Sequence, residues 1–310
     1  MGPEVKDAST GAFAPRYLVI SPVKDEEKYV ERTLRSMRMQ TIKPVRWIIV
    51  DDGSTDSTPA ILRALGEDQP WITIVTREPG RDRLPGSAVM HAFYHGLEHA
   101  AGVEYDYIVK LDCDVDLPED YFERILRRFE QQPRLGIASG IYLEEGPEGW
   151  KPIPMPSYHA AGASKVMRAE CFREFGGFVR ERGWDTVDEL RAQVKGWLTT
   201  HFADIQFKHL KQEGSGIGSF RTNVMHGDVY YLTGGGPLFL ALKVAHRMVA
   251  GSPPVVGGFA MLYGYLRCLI GRRERLVSDA EASHYRRLLN QRIFRRRSAS
   301  AQPVTSAGSQ

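Results

Sequence analysis

The sequence predicts an α/β fold in which a mostly parallel, Rossmann-like sheet is flanked by helices on both faces. Short apolar runs rich in β-branched residues recur along the first half of the chain, and amphipathic segments separate them. Strands buried on both faces read as continuous apolar runs, and their alternation with helices is typical of βαβ units. Of the 310 residues, 42% are hydrophobic and 25% are charged. This composition excludes a chain that is disordered throughout.

Five apolar runs are predicted as buried strands, at residues 17–21, 47–51, 72–76, 107–111 and 135–139. Helices are predicted at residues 27–39, 57–65, 88–99 and 119–131, where apolar side chains recur at helical spacing. Beyond residue 140 the sequence is richer in Gly and Pro. Two further helices are predicted there, one after Cys171 and one over residues 186–197.

Acidic residues follow three of the predicted strands. The first strand leads into PVKDEE at residues 22–27, the second into DDGSTD at residues 51–56, and the fourth into Asp112 and Asp114. Ligands of open α/β sheets bind beyond the carboxyl ends of the strands, so these residues are candidates for function. Two carboxylates so close in sequence can bind one hard cation such as Mg²⁺ or Mn²⁺. The alternatives are a solvated acidic turn at Asp112 and an ordinary Asx turn and helix N-cap at residues 51–56.

These motifs, in this order and spacing, resemble the family 2 glycosyltransferases, which have a GT-A fold. The resemblance rests on residues 22–26, 40–41, 50–58 and 111–114, and it covers roughly residues 17–210. It implies that a sugar is transferred from a nucleotide diphosphate donor with inversion at the anomeric carbon. It also implies a divalent cation, Mg²⁺ or Mn²⁺, at the diphosphate.

The resemblance assigns residues to the donor and to the metal by position. Asp112 and Asp114 match the metal-binding DxD motif, with Asp114 as the more direct ligand. The family more often has Asn where this chain has Asp25, and Arg83 is offset from the usual position of the residue over the diphosphate, as is its neighbour Arg81. The residues matched to the nucleotide pocket are Pro22, Asp25, Glu26, Asp51, Asp52, Arg83 and Asp112.

An inverting transfer needs a general base for the acceptor hydroxyl. The resemblance places this base at the start of a helix, eleven residues before a glycine, and counting back from Gly196 gives Asp185. Asp188 stays open as the alternative, because it can share a helix face with Asp185. The same register places His209 where a histidine can reach the metal or a phosphate oxygen. A purely structural histidine is the alternative there, and His226 is a weaker competitor.

The C-terminal part of the chain is basic and apolar. Residues 237–310 contain 12 Lys or Arg and three acidic residues, whereas the rest of the chain has a net charge of −6. In residues 237–250 a basic edge of Lys243, His246 and Arg247 borders a broad apolar face, as in helices that lie on a membrane surface. Anionic lipid would attract such a segment. The alternatives are a pair of helices packed into the core and a dimer interface.

The sequence therefore predicts a disordered lead-in at 1–16, a GT-A domain at 17–236, a membrane-associating helical extension at 237–297 and a disordered tail at 298–310. The apolar stretch at residues 255–271 is shorter than a membrane span and contains Arg267. No motif for nucleic-acid binding is present. The N-terminus lacks the apolar region of a signal peptide, and the three cysteines form no CxxC pair. These features predict a cytoplasmic protein, peripheral at the inner face of the cytoplasmic membrane.

The segment at residues 230–237 is similar to bacterial exopolysaccharide and surface-glycan glycosyltransferases, which implies a lipid-linked or membrane-proximal glycan acceptor. Two other classes of function stay open at this point. A nucleotidyltransferase would also combine a Rossmann-like sheet with an acidic metal site, but PVKDEE lacks the glycine-rich loop expected after its first strand. A non-catalytic nucleotide-sugar or membrane-binding module would not need a general base.

Overall fold

The computed structural model describes residues 13–66, 68–78, 87–211, 218–250 and 255–299. The strands are β1 (Tyr17–Val23), β2 (Arg46–Asp51), β3 (Ile72–Thr76), β4 (Tyr107–Leu111), β5 (Val115–Asp116), β6 (Leu135–Gly146), β7 (Gly149–Pro152), β8 (Ser164–Arg168) and β9 (Leu198–His209). The helices are α1 (Val30–Arg38), α2 (Thr58–Gly66), α3 (Ser87–Glu98), α4 (Tyr121–Gln131), α5 (Ala169–Glu174), α6 (Trp184–Val194), α7 (Ser219–Leu232), α8 (Pro237–Ala250), α9 (Val256–Ile270) and α10 (Asp279–Ala299).

The strands form one sheet in the order β3-β2-β1-β4-β8-β6-β9-β5, with β7 paired to β6. The pairs β1–β2, β2–β3, β1–β4 and β6–β9 are parallel, whereas β8 runs antiparallel to both β4 and β6. The predicted α/β class with a mostly parallel sheet is confirmed. The five predicted strands are present, although β6 continues seven residues beyond its predicted end at residue 139 because it also pairs with β7 and β9.

Helices cover both faces of the sheet. On one face α1, α2 and α4 bury side chains such as Leu34, Leu62 and Phe122 against the strands. On the other face α3 lies so close to the sheet that a Cβ on Gly96 would come within 2.8 Å of methyl groups of Ile20 and Val50. A glycine is therefore required for this approach. It fixes α3 directly against β1 and β2, with the first turns of the helix at their carboxyl ends.

A third apolar core joins the C-terminal helices to α6. Its members come from α6, α7, α8, α9 and α10 and include Val187, Leu190, Tyr230, Leu240, Val244, Met261, Tyr265, Ala282 and Leu289. Helices α7 and α9 touch through backbone, since a Cβ on Gly227 would come within 2.0 Å of the carbonyl oxygen of Met261. Thus one face of α8 and of α9 packs into a core, as in the alternative that the sequence left open. The domain division at residue 236 stays a prediction, although α7, which precedes it, shares this core.

The other sides of α8 and α9 are apolar and exposed. Phe259 and Tyr263 on α9 are each 58% exposed, and Val249 on α8 is 85% exposed. We call this surface the exposed apolar face; its residues are Leu238, Leu242, Val249, Val256, Phe259, Tyr263, Leu266 and Ile270. Among the described residues, no helix combines the length and the hydropathy needed to cross a bilayer.

The ends of the chain differ from the prediction at the described residues. Residues 13–16, predicted to be part of a disordered lead-in, make contacts: Arg16 pairs with Glu104 and Asp106, and Phe13 lies under the guanidinium of Arg127. The acidic residues that precede β4 give this arginine partners that its local sequence does not reveal. Helix α10 continues to Ala299, two residues beyond the predicted extension.

His226, the weaker candidate for a phosphate or metal contact, lies instead in the helical part of the chain. Arg247 on α8 donates a hydrogen bond to its Nδ1 at 2.8 Å. Burial, together with the charges of Arg247 and Lys243, lowers the pKa of His226 to about 4. The folded protein therefore keeps this imidazole neutral under conditions in which an unfolded chain protonates it.

We expect this histidine to make folding stability depend on pH. As the pH falls from about 6.5 to about 4, the unfolded chain takes up a proton that the folded chain does not, so stability should fall by about 1–3 kcal/mol. His226→Gln should remove this part of the slope. Urea denaturation between pH 7 and about 4.5 measures it, with His99→Gln, at an exposed histidine, as the control. Equal slopes for wild type and His226→Gln would contradict the assignment.

Candidate active site

A cavity of about 230 Å³ lies beyond the carboxyl ends of β1, β2 and β4. We call it the carboxylate pocket. The residues that line it include five predicted for the donor or the metal, which are Pro22, Glu26, Asp52, Asp112 and Asp114. Ala88 and Val89, from the first turn of α3, complete one wall. A helix N-terminus favours negative charge, so this wall is suited to an anionic group such as a diphosphate.

Each of three carboxylates in the pocket has a cationic partner that the sequence analysis did not identify. Arg77 binds Asp52, Lys110 binds Asp112 and Lys211 binds Glu26, each with a nitrogen to oxygen distance of 2.5 Å. Burial raises the pKa of Asp112, with Lys110 acting against it, and burial likewise raises the pKa of Glu26. A lysine inside the apolar run of β4 was the one available sequence signal, because a buried lysine needs an anionic partner.

Asp114 and His209 lie together at one side of this pocket. Asp114 Oδ2 is 3.5 Å from His209 Nε2, while Asp114 Oδ1 is buried without a hydrogen-bond partner among the described residues. Burial alone would lower the pKa of His209, but Asp114, Asp112 and Glu144 outweigh it and raise this pKa to about 9. Asp114 and His209, both predicted as metal ligands, are therefore adjacent in space. A bound cation could supply the partner that the buried Oδ1 of Asp114 lacks among the described residues.

The side chains present suit a divalent cation that shares its ligands with a substrate. In the part of the chain that the structure describes, no three His, Cys, Asp or Glu side chains form a ready metal site. Mg²⁺ commonly binds through one or two carboxylates plus substrate phosphates and water. Asp112 and Asp114 meet this requirement, with His209 beside them, so the donor set fits Mg²⁺ or Mn²⁺ with a diphosphate as co-ligand.

Asp25 and Asp51 contact the chain and not this pocket. Asp25 has a left-handed backbone with a φ of 52°, and its Oδ1 accepts a hydrogen bond from the Thr55 amide at 2.7 Å. Asp51 Oδ1 accepts from the Ser54 amide at 2.9 Å. Both carboxylates stabilise the loop at residues 51–56, which is the Asx-turn alternative that the sequence left open for Asp51. Arg81 and Arg83 lie outside the described residues.

A second cavity, of about 690 Å³, lies between α6, α8, α10 and residues 156–159. We call it the helical pocket. Asp185 lines it from α6, together with the cationic or basic residues Lys243, His246 and Arg292 and the apolar residues Phe239, Leu242, Tyr285 and Leu289. The predicted basic edge of a membrane helix is thus placed differently: Lys243 and His246 line this pocket, and Arg247 contacts His226 of α7.

The two pockets approach each other at Gly162. Lys110, which binds Asp112 in the carboxylate pocket, also donates to the carbonyl oxygen of Gly162 at 2.9 Å. A Cβ on Gly162 would come 3.9 Å from the Cβ of Asp185. The ring of Trp184, one residue before Asp185, lies 5.2 Å from the Lys110 ammonium. Gly162 therefore lies next to Asp185 and accepts a hydrogen bond from Lys110, the residue that binds Asp112.

Asp188 occupies a buried ion cluster behind Asp185. Its carboxylate accepts from Lys165 at 2.9 Å, and Lys165 also bonds to Glu189 at 3.2 Å and to the carbonyl oxygen of Asp185 at 2.8 Å. Burial raises the pKa of Asp188 to about 7, which by itself suits a general base. Its side chain is nevertheless fully buried against Lys165, and it does not line the helical pocket. The geometry therefore favours Asp185.

The sequence of the chain matches a model of the glycosyl transferase family 2 over residues 18–186. The chain belongs to this family, and the resemblance drawn from its motifs is confirmed. It is 28% identical over 219 residues to the succinoglycan biosynthesis protein ExoA of Rhizobium meliloti (strain 1021), covering 63% of this chain and 64% of that protein. It is 30% identical over 122 residues to a 4,4'-diaponeurosporenoate glycosyltransferase of Staphylococcus aureus (strain MRSA252), covering 39% of this chain. The chain spans only 30% of the length of that second relative.

Solved structures of other proteins share the fold. The mannosyltransferase PcManGT from Pyrobaculum calidifontis, solved with GDP-Man and Mn²⁺, aligns with a TM-score of 0.56 at 17% identity, covering 91% of this chain and 86% of that one. TarS 1-349 of S. aureus, solved with UDP-GlcNAc, aligns with a TM-score of 0.51 at 14% identity, covering 81% and 71%. These similarities confirm the predicted GT-A fold.

Proposed function

We propose that the protein is an inverting, metal-dependent glycosyltransferase that moves a sugar from a nucleotide diphosphate donor to a hydroxyl of a lipid-linked or membrane-proximal glycan. The process would be cell-surface or exopolysaccharide synthesis. The main support is the approach of two pockets at Gly162, one acidic and suited to a metal-bound diphosphate, the other containing Asp185. The names of the relatives, a succinoglycan biosynthesis protein and a glycosyltransferase, agree with this function.

On the donor side, Asp112 and Asp114 would hold Mg²⁺ or Mn²⁺, with His209 next to them. The cation supplies charge neutralisation for the departing diphosphate. The first turn of α3 presents its positive end to the same pocket. Asp52, held by Arg77, would accept from a nucleobase or a ribose hydroxyl, whereas Asp25 and Asp51 would act through the shape of the loop at residues 51–56.

On the acceptor side, Asp185 would act as the general base. It takes the proton of the acceptor hydroxyl as that oxygen bonds to the anomeric carbon, while the bond from this carbon to the diphosphate oxygen breaks and its electron pair leaves with the diphosphate. Lys165 binds the carbonyl oxygen of Asp185 and so fixes the first turn of α6.

The exposed apolar face supports a peripheral position at the inner face of the cytoplasmic membrane. Val256, Phe259 and Tyr263 follow one stripe of α9, and Arg272 and Arg273, both exposed, come directly after this helix. Apolar insertion combined with attraction to anionic headgroups is the usual mode of binding for such surfaces.

Donor binding should require the divalent cation. A nucleotide sugar should raise the melting temperature in the presence of Mn²⁺ but not of EDTA, because the diphosphate would otherwise meet the carboxylates of Asp112 and Asp114 without a cation shared between them. Asp114→Asn should abolish this rise for UDP-, GDP-, dTDP- and CMP-sugars alike. Asp116→Asn is the matched control, since Asp116 bonds Arg32 outside the pocket. Donor affinity and turnover that are unchanged by EDTA would refute the metal assignment.

Asp185→Asn should lower turnover by roughly 10²- to 10⁴-fold and leave donor affinity unchanged, because it removes the proton acceptor but keeps the shape. Asp188→Asn should act on folding instead. This substitution removes one negative charge from the buried cluster around Lys165, which should lower the free energy of unfolding by about 3 kcal/mol. Turnover, donor dissociation constants and denaturation curves of both variants separate the roles. Collapse of turnover in folded Asp188→Asn with an active Asp185→Asn would assign the base to Asp188.

The chain should sediment with anionic vesicles and less with neutral ones. Phe259→Ser combined with Ile270→Ser should weaken binding to both, because apolar insertion is lost. Arg272→Gln with Arg273→Gln should weaken only anionic binding and flatten its dependence on salt, each charge contributing about 1 kcal/mol. Met39→Ser, at an exposed methionine after α1, is the control. Equal binding of wild type to neutral and anionic lipid at every salt concentration would overturn the electrostatic part.

A further inference from the structure

Two cations of the helical pocket have no counter-ion among the residues that the structure describes. Lys243 and Arg292 both line it, and neither forms an ion pair with a carboxylate of the described residues. The charges that act on the Lys243 ammonium are those of Arg247 and Arg292, and this ammonium lies 4.9 Å from the ring centre of Tyr230. Burial, with Arg247 and Arg292, lowers the pKa of Lys243 to about 8. The partly buried positive charge of Lys243 is unfavourable without an anion to pair with it, whereas Arg292 is exposed at the rim of the pocket.

The acidic side chains of the same pocket do not supply that anion. Glu189 is already bonded to Lys165, to His159 and to the amide of Ala160. Asp185 lines the pocket from α6, whereas Lys243 and Arg292 line it from α8 and α10. The pocket thus has a carboxylate on one wall and uncompensated cations on two others, with space of about 690 Å³ between them. This volume falls within the range of about 300–1,000 Å³ that is usual for sites of small organic ligands.

The remaining wall is apolar and leads outward. Phe239, Tyr285 and Leu289 line it, as does Leu242, which is 46% exposed and belongs to the exposed apolar face. The apolar wall therefore reaches the exposed apolar face at Leu242. A ligand that matches all walls needs a hydroxyl, an anionic group and an apolar chain.

We propose that the helical pocket binds the acceptor as a lipid phosphate ester, with the phosphate held by Lys243 and Arg292. His246 lies beside this phosphate, the lipid chain leaves over Leu242, and the sugar hydroxyl reaches Asp185. This inference rests on the proposed glycosyl transfer, because it specifies the acceptor of the same reaction. It goes beyond that proposal in naming a phosphate subsite and the two residues that form it.

Octyl phosphate and octyl β-glucoside, two amphiphiles with the same chain, test the subsite by calorimetric titration of the full chain below their micellar concentrations. Octyl phosphate should bind at least 10-fold more tightly, as a charge-assisted hydrogen bond contributes about 1.5–3 kcal/mol. Lys243→Met and Arg292→Ala should each remove most of this difference. Arg287→Ala, at an exposed arginine of α10 that does not line the pocket, should retain it.

Equal affinities for the two amphiphiles, or a preference for octyl phosphate that survives in both Lys243→Met and Arg292→Ala, would overturn the proposal. Glucose 1-phosphate that binds as tightly as octyl phosphate would overturn the lipid part and assign a soluble phosphate ester. Binding of nucleotide sugar with Mn²⁺ is measured on the same samples and should be unchanged in all three variants. Wild type that binds donor but not octyl phosphate refutes only this inference, whereas failure to bind any nucleotide sugar refutes the proposed function.

Discussion

The arrangement of the site depends on the buried ammonium of Lys165. This residue lies on β8 and bonds to Asp188, to Glu189 and to the carbonyl oxygen of Asp185, all on α6. Helix α6 in turn contributes to two cores, through Trp184 to the core under the sheet and through Leu190 to the core of the C-terminal helices. The lysine therefore ties the sheet, which carries the carboxylate pocket, to the helices that form the helical pocket.

Such a cluster determines geometry more than it adds to stability. The desolvation of buried charges offsets much of their attraction, but removal of one partner leaves an uncompensated charge and is costly. The pKa of Lys165 is raised because Asp188 and Glu189 outweigh the effect of burial. The ammonium thus stays charged, and its three acceptors, on Asp185, Asp188 and Glu189 of one helix, leave that helix little freedom to rotate. A base that must face an acceptor within a fraction of an ångström benefits from this constraint.

The fold and half of the site could be predicted because their signals are local. Each of the first four strands is an apolar run, and Asp52, Asp112 and Asp114 follow such runs directly. Strand β9 gave no such signal, since most of its side chains are at least partly exposed, and β8 was obscured because it contains the buried Lys165. The partners of the carboxylates were missed for another reason. Arg77 lies 25 residues from Asp52 and Lys211 lies 185 residues from Glu26, so only tertiary packing brings them together.

The helical pocket is the clearest example of a feature that local sequence patterns cannot predict. Lys243, His246 and Arg247 form one edge of α8, and the pattern alone does not tell whether that edge faces lipid headgroups or protein. Close contact of α7 and α9 at Gly227, and the packing of α8 and α10 against α6, turn Lys243 inward. The basic charge of the C-terminal segment then acts in two places. Arginines after α9 stay exposed beside the apolar face, while cations of α8 and α10 line a pocket that also contains Asp185. The difference in charge between residues 1–236 and residues 237–310 is therefore also present at the site. The carboxylate pocket is suited to a cation and the helical pocket to an anion. Gly162 and Trp184 lie between the two pockets.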